Sequence, residues 1–251
     1  MTVRRTLTCL VGLLGIIGLS VGPARAQAND VAARHEMVRI IELQAAMLSA
    51  ETGIEEVDPR VLEAMREVPR HAFVPEALRA YAYGDHPLPV SPDQNIAAPL
   101  LVALMTHVVA LQPDDVVYET GTGAGYHAAV LSRLVRDVYS VEVEEPLADR
   151  AARLLKELHY DNVHVQAADG YYGWAAHAPY DAMVIKEAID HVPPPLLAQL
   201  KRGGRMVLPL GPARGPQYLT VITKGADGKL SEQRIMPVRF SPLQGGERTR
   251  V

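Results

Sequence analysis

The sequence predicts an α/β protein built on a doubly wound, mostly parallel sheet, preceded by helices and closed by an antiparallel hairpin. Three observations carry this. From Asp115 onward, short apolar runs alternate with helix-length stretches, the pattern of a parallel sheet covered by helices. The first of these runs passes into a glycine-rich turn, Thr120-Gly121-Thr122-Gly123-Ala124-Gly125, that opens a helix. Before Asp115 the spacing is helical and the punctuation is proline.

The elements follow in order. Val31 to Glu51 places Val38, Ile41, Met47 and Leu48 at mixed three- and four-residue spacings, which predicts a helix. Asp58-Pro59 starts another: Asp58 suits an N-cap, Pro59 the first helical position, and Val68-Pro69 ends it. Six prolines between Pro69 and Pro99 predict an ordered loop region with short helices and no sheet. Pro99 to Leu111 reads as an apolar helix. Strands are expected at Val116–Glu119, Val138–Glu142, Val163–Ala167, Tyr180–Ile185 and Arg205–Leu210. The intervening helices are expected at Tyr126–Leu134, Pro146–Leu158 and Pro195–Leu200, the last closed by Gly203-Gly204. Tyr218–Thr223 and Arg234–Phe240 form the final hairpin around Asp227-Gly228. Residues 27–112 then make a helical and loop region, and 113–251 the α/β region, of one compact unit.

The composition suits that class. The 251 residues are 48% hydrophobic and 22% charged, with a formal net charge of −4. A basic face of the kind that binds nucleic acid is not expected from this balance. The first 26 residues differ from the rest: Arg4 and Arg5, an apolar run from Leu7 to Val21, then Ala24-Arg25-Ala26. That three-part pattern predicts a secretory signal peptide cleaved after Ala26, with no stable membrane association afterwards and a periplasmic or secreted mature chain. Cleavage removes three arginines, lowering the net charge to −7, together with Cys9, the single cysteine.

The glycine-rich turn carries the chemistry. An apolar strand ends in Glu119 and is followed by Gly121, Gly123 and Gly125 before a helix. Glycines there permit positive φ and close approach of a ligand to backbone amides. About twenty residues on, a second strand ends in Glu142, where a carboxylate can accept hydrogen bonds from both ribose hydroxyls. Tyr126 stands where a dinucleotide fingerprint wants its third glycine, which favours S-adenosylmethionine (SAM) over NAD. A third strand leads to Ala168-Asp169-Gly170, which places Asp169 to receive an adenine amino group. The histidines show no metal-ligand spacing, so no metal is expected. Trp174, Tyr171 and Tyr172 are expected in core or cleft wall, and Asp190-His191 on the surface.

Several blocks resemble the protein-L-isoaspartate O-methyltransferase family. They are Ala168-Asp169-Gly170-Tyr171-Tyr172-Gly173-Trp174 and on to Asp181, Val61-Leu62-Glu63-Ala64-Met65 with Val68-Pro69-Arg70-His71-Ala72-Phe73-Val74-Pro75, Asp85-His86-Pro87-Leu88-Pro89 and Pro237-Val238-Arg239-Phe240. The resemblance runs in order from Arg34 to about Gly245, with a few extra residues near Met47 to Thr52. It implies a Rossmann-like SAM methyltransferase sheet, with Glu119, Gly121, Gly123, Gly125, Glu142, Asp169 and Gly170 around the cofactor. It implies that Asn95, Ile96, Ala97, Val238 and Phe240 lie where the aspartyl residue of a peptide or protein substrate sits. It also implies the reaction: methyl transfer from SAM to the carboxylate of L-isoaspartyl (D-aspartyl) residues in damaged proteins, a protein-repair activity.

Two departures stand out. In Asp93-Gln94-Asn95-Ile96-Ala97-Ala98-Pro99, Asn95 replaces the family threonine and Ala97 a serine set beside the substrate carboxylate. After the fourth strand the family has small residues, and this chain has Lys186-Glu187, expected near cofactor and substrate. Three readings stay open at this point: a working isoaspartyl methyltransferase, a methyltransferase with a changed acceptor, and an exported binding protein that keeps the fold.

Overall fold

The computed structural model describes residues 23–91 and 94–245. The expected signal peptide lies, up to residue 22, outside the described residues, and 23–26 belong to the first helix. Helix α1 (Pro23–Met47) starts earlier than the sequence spacing predicts, and one further turn, α2 (Ser49–Thr52), follows it. Helix α3 (Pro59–Glu67) begins as expected: the Asp58 carboxylate accepts from the Arg60 amide at 2.8 Å. A cap of this kind contributes about 1 kcal/mol. Helix α4 (Pro99–Val108) completes the N-terminal layer and stops three residues short of the expected Leu111. Among the described residues no helix is long and apolar enough to cross a membrane.

The segment between these helices corrects one expectation. Alongside short 3-10 turns at Arg70–Phe73 and Glu76–Tyr81, it holds a small antiparallel pair, β1 (Leu88–Ser91) and β2 (Gln94–Ile96). Leu88 pairs with Ile96, and both are buried, while Pro89 faces Asn95. Strands this short show no alternation to read, and proline is tolerated in a two-stranded edge.

The main sheet has seven strands: β3 (Val116–Thr120), β4 (Asp137–Glu142), β5 (Val163–Ala167), β6 (Tyr180–Val184), β7 (Leu200–Leu210), β8 (Gln217–Lys224) and β9 (Leu230–Val238). Their spatial order is β5-β4-β3-β6-β7-β8-β9. The first five run parallel, and β8 and β9 are antiparallel. Helices α5 (Tyr126–Ser132), α6 (Glu145–Glu157) and α7 (Pro194–Gln199) make the crossovers.

Both faces of the sheet are covered, as alternation along β3 shows. Val117 joins a core shared with α1, α3, α4 and α5, and Val116 and Tyr118 join the opposite core with Tyr180, Met183 and Leu196. Tyr171 and Trp174 pack against that second core, as expected, whereas Tyr172, expected with them, is exposed. Gly203-Gly204, expected to close the last helix, lie instead inside β7. The chain enters the sheet at Leu200 opposite Tyr180 and shifts register before Arg205. A Cβ at Gly204 would stand 2.7 Å from the Asp181 carbonyl oxygen, so the glycine serves the irregular strand and not a helix end.

Candidate active site

Strand order reverses beside β3, between its neighbours β4 and β6. At such a switch point the carboxyl ends of the strands open a crevice. A cavity of about 310 Å³ lies there. Its floor is Thr120 to Ala124, one end is Val141-Glu142-Val143, and the other is Lys186-Glu187. Asn95, Ile96 and Ala97 form one wall, and Arg239 to Gln244 another.

The turn geometry follows from its glycines. Gly121 and Gly123 have φ of +60° and +57°, a region open to glycine at little cost. The Gly123 amide donates to Glu142 Oε2 at 2.9 Å, and the Glu144 amide to Glu142 Oε1 at 3.2 Å. Two backbone amides thus hold the Glu142 carboxylate at the end of β4. A Cβ at Gly123 would approach nothing closer than the Gly121 carbonyl oxygen at 3.7 Å, so this face of the turn is open.

Gly121 is different. A Cβ there would stand 1.8 Å from Glu187 Oε1, because the Glu187 carboxyl packs directly over it. Thr120 sets this up: its hydroxyl accepts from the Lys186 amide at 3.1 Å and donates to Glu187 Oε2. Burial pushes the Glu187 carboxyl up to about 7. Beneath it, Glu119 is fully buried, with Lys186 Nζ at 2.7 Å and the Ser140 hydroxyl donating at 2.6 Å. Burial raises the Glu119 carboxyl despite Lys186. His127, also buried, contacts Thr106 at 2.9 Å, and burial holds its pKa well below the ordinary value, hence neutral.

The substrate-side loop is clamped from behind. Arg70, fully buried, donates to the carbonyls of Ala82 and Ala97 at 2.8 Å each and lies over the Tyr126 ring. Opposite, the buried Gln217 side chain accepts from the Phe240 amide at 2.7 Å and donates to the Phe240 carbonyl at 3.3 Å. Both walls are therefore fixed through backbone groups.

The family model for protein-L-isoaspartate(D-aspartate) O-methyltransferase matches residues 45–248. The chain belongs to that family. A protein-L-isoaspartate O-methyltransferase 1 of Cupriavidus necator is 48% identical over 235 residues, covering 93% of this chain and 91% of the relative. A protein-L-isoaspartate O-methyltransferase 2 of Syntrophobacter fumaroxidans is 48% identical over 233 residues, covering 92% and 94%. A solved protein-L-isoaspartate O-methyltransferase superposes with a TM-score of 0.75 at 29% identity, over 84% of this chain and 66% of that one. A Plasmodium falciparum structure described as a putative protein-L-isoaspartate O-methyltransferase, solved with S-adenosyl-L-homocysteine, shares the fold at 20% identity and a TM-score of 0.70, over 84% of this chain and 98% of that one.

SAM is the methyl donor of protein-L-isoaspartate O-methyltransferases, and the cavity of this member fits it. The open face at Gly123 and the amide-held Glu142 provide the backbone floor and carboxylate expected for its ribose. Of the residues expected around cofactor and substrate, Asn95, Ile96, Ala97, Gly121 and Gly123 line the cavity, as do Glu142, Gly170, Lys186, Glu187 and Phe240.

Four others do not. Glu119 sits behind Lys186. Gly125, with φ +94°, caps α5, and a Cβ there would press on Leu155 of α6 at 3.0 Å, so it serves packing and not the cavity. The Asp169 carboxyl lies against Gly245, where a Cβ would be 2.4 Å away, so the C-terminal segment covers it. Val238 packs on the large core at the end of β9. Thr120, Arg70, Arg239 and Ser241–Gln244 belong to the site without having been expected there. Arg70 and Arg239 both stand in segments that resemble the family, and their charge was the available signal. The others act through contacts between distant segments.

Proposed function

We propose that this chain methylates the carboxylate of L-isoaspartyl (D-aspartyl) residues in damaged proteins, with SAM as donor and a peptide or protein as partner. The observation that carries the reading is one cavity joining two half-sites. Glu142 and Gly123 hold the donor side, and Ala97, Phe240 and Arg239 frame the acceptor side.

Bound SAM supplies a methyl group activated by positively charged sulfur. The acceptor is already an anion at neutral pH, so no side chain has to remove a proton. The acceptor oxygen forms a bond to the methyl carbon as the carbon–sulfur bond breaks, giving a methyl ester and S-adenosylhomocysteine. What the protein contributes is alignment and exclusion of water. Arg70 and Gln217 hold the two acceptor walls by their backbones. Arg239, exposed beside the cavity, attracts the acidic acceptor. The loss of a hydroxyl at Ala97 removes one hydrogen bond to the carboxylate but leaves the nucleophile intact, and the side-chain amides of Gln94 and Asn95 in the same loop also line the cavity.

The test is methyl-ester formation on a peptide containing isoaspartate, with the normal aspartyl peptide as control and Glu142→Ala as the donor-site variant. Ester on the isoaspartyl peptide alone, lost in the variant, supports the reading. SAM binding without ester on either peptide would instead favour a changed acceptor, with Lys186 and Glu187 as the residues that distinguish this cavity.

We further propose that the mature chain begins at Gln27 and acts in the periplasm or outside the cell, without stable membrane or nucleic-acid association. Support comes from the charged start, apolar run and Ala24-Arg25-Ala26 of the first 26 residues. N-terminal sequencing of protein from the periplasmic fraction should read Gln27 first; a start at Met1 in the cytosolic fraction alone would refute it.

A further inference from the structure

We propose that Glu187, in place of the buried Glu119, is the counter-anion for the positively charged methionyl end of SAM. The inference rests on SAM being the donor. Strand order supplies the first argument. Along the switch point, Gly170 follows β5, Glu142 ends β4, the glycine turn follows β3, and Lys186-Glu187 follow β6. A ligand with its ribose at Glu142 and its adenine toward β5 extends its other end across β3 to β6. In SAM that other end carries the sulfonium and the α-ammonium.

The second argument is which carboxylate is available there. Glu119 is sealed beneath the floor, neutralised by Lys186 at 2.7 Å and hydrogen-bonded by Ser140 at 2.6 Å. Glu187 lines the cavity, and its Oε1 lies over the bare face of Gly121. The side chain is aimed. Because the Thr120 hydroxyl accepts from the Lys186 amide, its own proton is directed to Glu187 Oε2, which leaves Oε1 toward the floor of the cavity.

The charges facing Glu187 complete the case. Lys186 is paired to Glu119, Glu142 is held by two amides, and His127 is neutral. The nearest cation is thus already committed, so a cationic ligand supplies the stronger compensation. Burial raises the Glu187 carboxyl to about 7, so ligand affinity becomes pH-linked in the neutral range. Ionised Glu187 binds a cation, and protonated Glu187 does not.

The experiment is calorimetric titration of the full chain and of Glu187→Gln and Thr120→Val with SAM and S-adenosylhomocysteine. Thermal unfolding without ligand verifies that each variant is folded. Glu187→Gln should weaken SAM binding about tenfold to hundredfold, the scale of a hydrogen-bonded charge pair. Thr120→Val, which keeps the carboxyl but not its aim, should fall between. Loss for SAM alone places the contact at the sulfonium, and equal loss for both ligands places it at the α-ammonium. Wild-type affinity should rise severalfold from pH 6 to 7.5, and Glu187→Gln should show no rise. A folded Glu187→Gln that binds both ligands as tightly as wild type overturns the inference while leaving the donor assignment standing. A wild-type chain that binds neither ligand overturns the donor assignment, and this inference with it.

Discussion

Alanine at Gly121 and at Gly123 should separate stability from ligand binding within a single turn. Both residues sit in the left-handed region, at φ +60° and +57°, where an L side chain costs about 1–2 kcal/mol. That cost is common to the pair. At Gly121 the added methyl would stand 1.8 Å from Glu187 Oε1, so the carboxyl must leave and its bond from Thr120 is lost. Leaving a hydrogen-bonding group unsatisfied adds about 1–3 kcal/mol, for a total of about 2–5. At Gly123 the methyl meets only the Gly121 carbonyl oxygen at 3.7 Å, an ordinary contact, so destabilisation stays at about 1–2 kcal/mol. The Gly123 methyl instead takes up space at the cavity floor beside Glu142, and SAM affinity should fall at least about tenfold, or 1.4 kcal/mol. Urea unfolding gives the first quantity and calorimetric titration the second. Equal destabilisation by the two substitutions would refute the contact assigned to Glu187. Wild-type SAM affinity in Gly123→Ala would refute the open floor.

Four further outcomes are expected. Ala97→Ser should raise kcat/KM on an isoaspartyl peptide by about tenfold, the worth of one hydrogen bond to a charged group, with SAM affinity unchanged; steady-state kinetics read both. Arg239→Gln should raise KM for the acidic peptide severalfold and leave the SAM Kd alone, since the guanidinium is exposed beside the cavity. Arg70→Lys replaces two separate donor atoms, Nε on Ala82 and Nη2 on Ala97, by a single ammonium without the planar fork; melting should fall by several degrees and KM for the peptide should rise. Glu187 ionises less readily in the folded chain than in the unfolded one, with a folded value of about 7 against an ordinary 4.5. Its contribution to stability is therefore full below about 4.5 and is lost as pH rises through 7. Unfolding free energy of the ligand-free protein should decline across that window, and Glu187→Gln should flatten the decline.

Much of this architecture is written locally. Strand β3 ending at a glycine turn, β4 ending at Glu142, and Asp58-Pro59 opening a helix are each visible within ten residues. Periodicity, capping and turn chemistry act over such distances, so sequence alone determines the doubly wound sheet and the place of its ligand crevice. The small β1–β2 pair and the glycines inside β7 escape that reading because their pairing partners, not their own patterns, make them strands.

The site divides along the same line. The glycine turn, Glu142, the Asn95–Ala97 loop and Phe240 were legible as motifs, and the structure brings them to one cavity. Which carboxylate faces that cavity was not legible. Glu119 and Glu187 are both acids near strand ends, and only folding pairs one with Lys186 while the hydroxyl of Thr120, 67 residues away in sequence, lays the other across Gly121. Sequence specifies which charges the chain carries and roughly where each strand delivers them. Tertiary packing decides which are compensated and which meet a ligand, because a buried charge takes its state from neighbours in space rather than from neighbours in sequence.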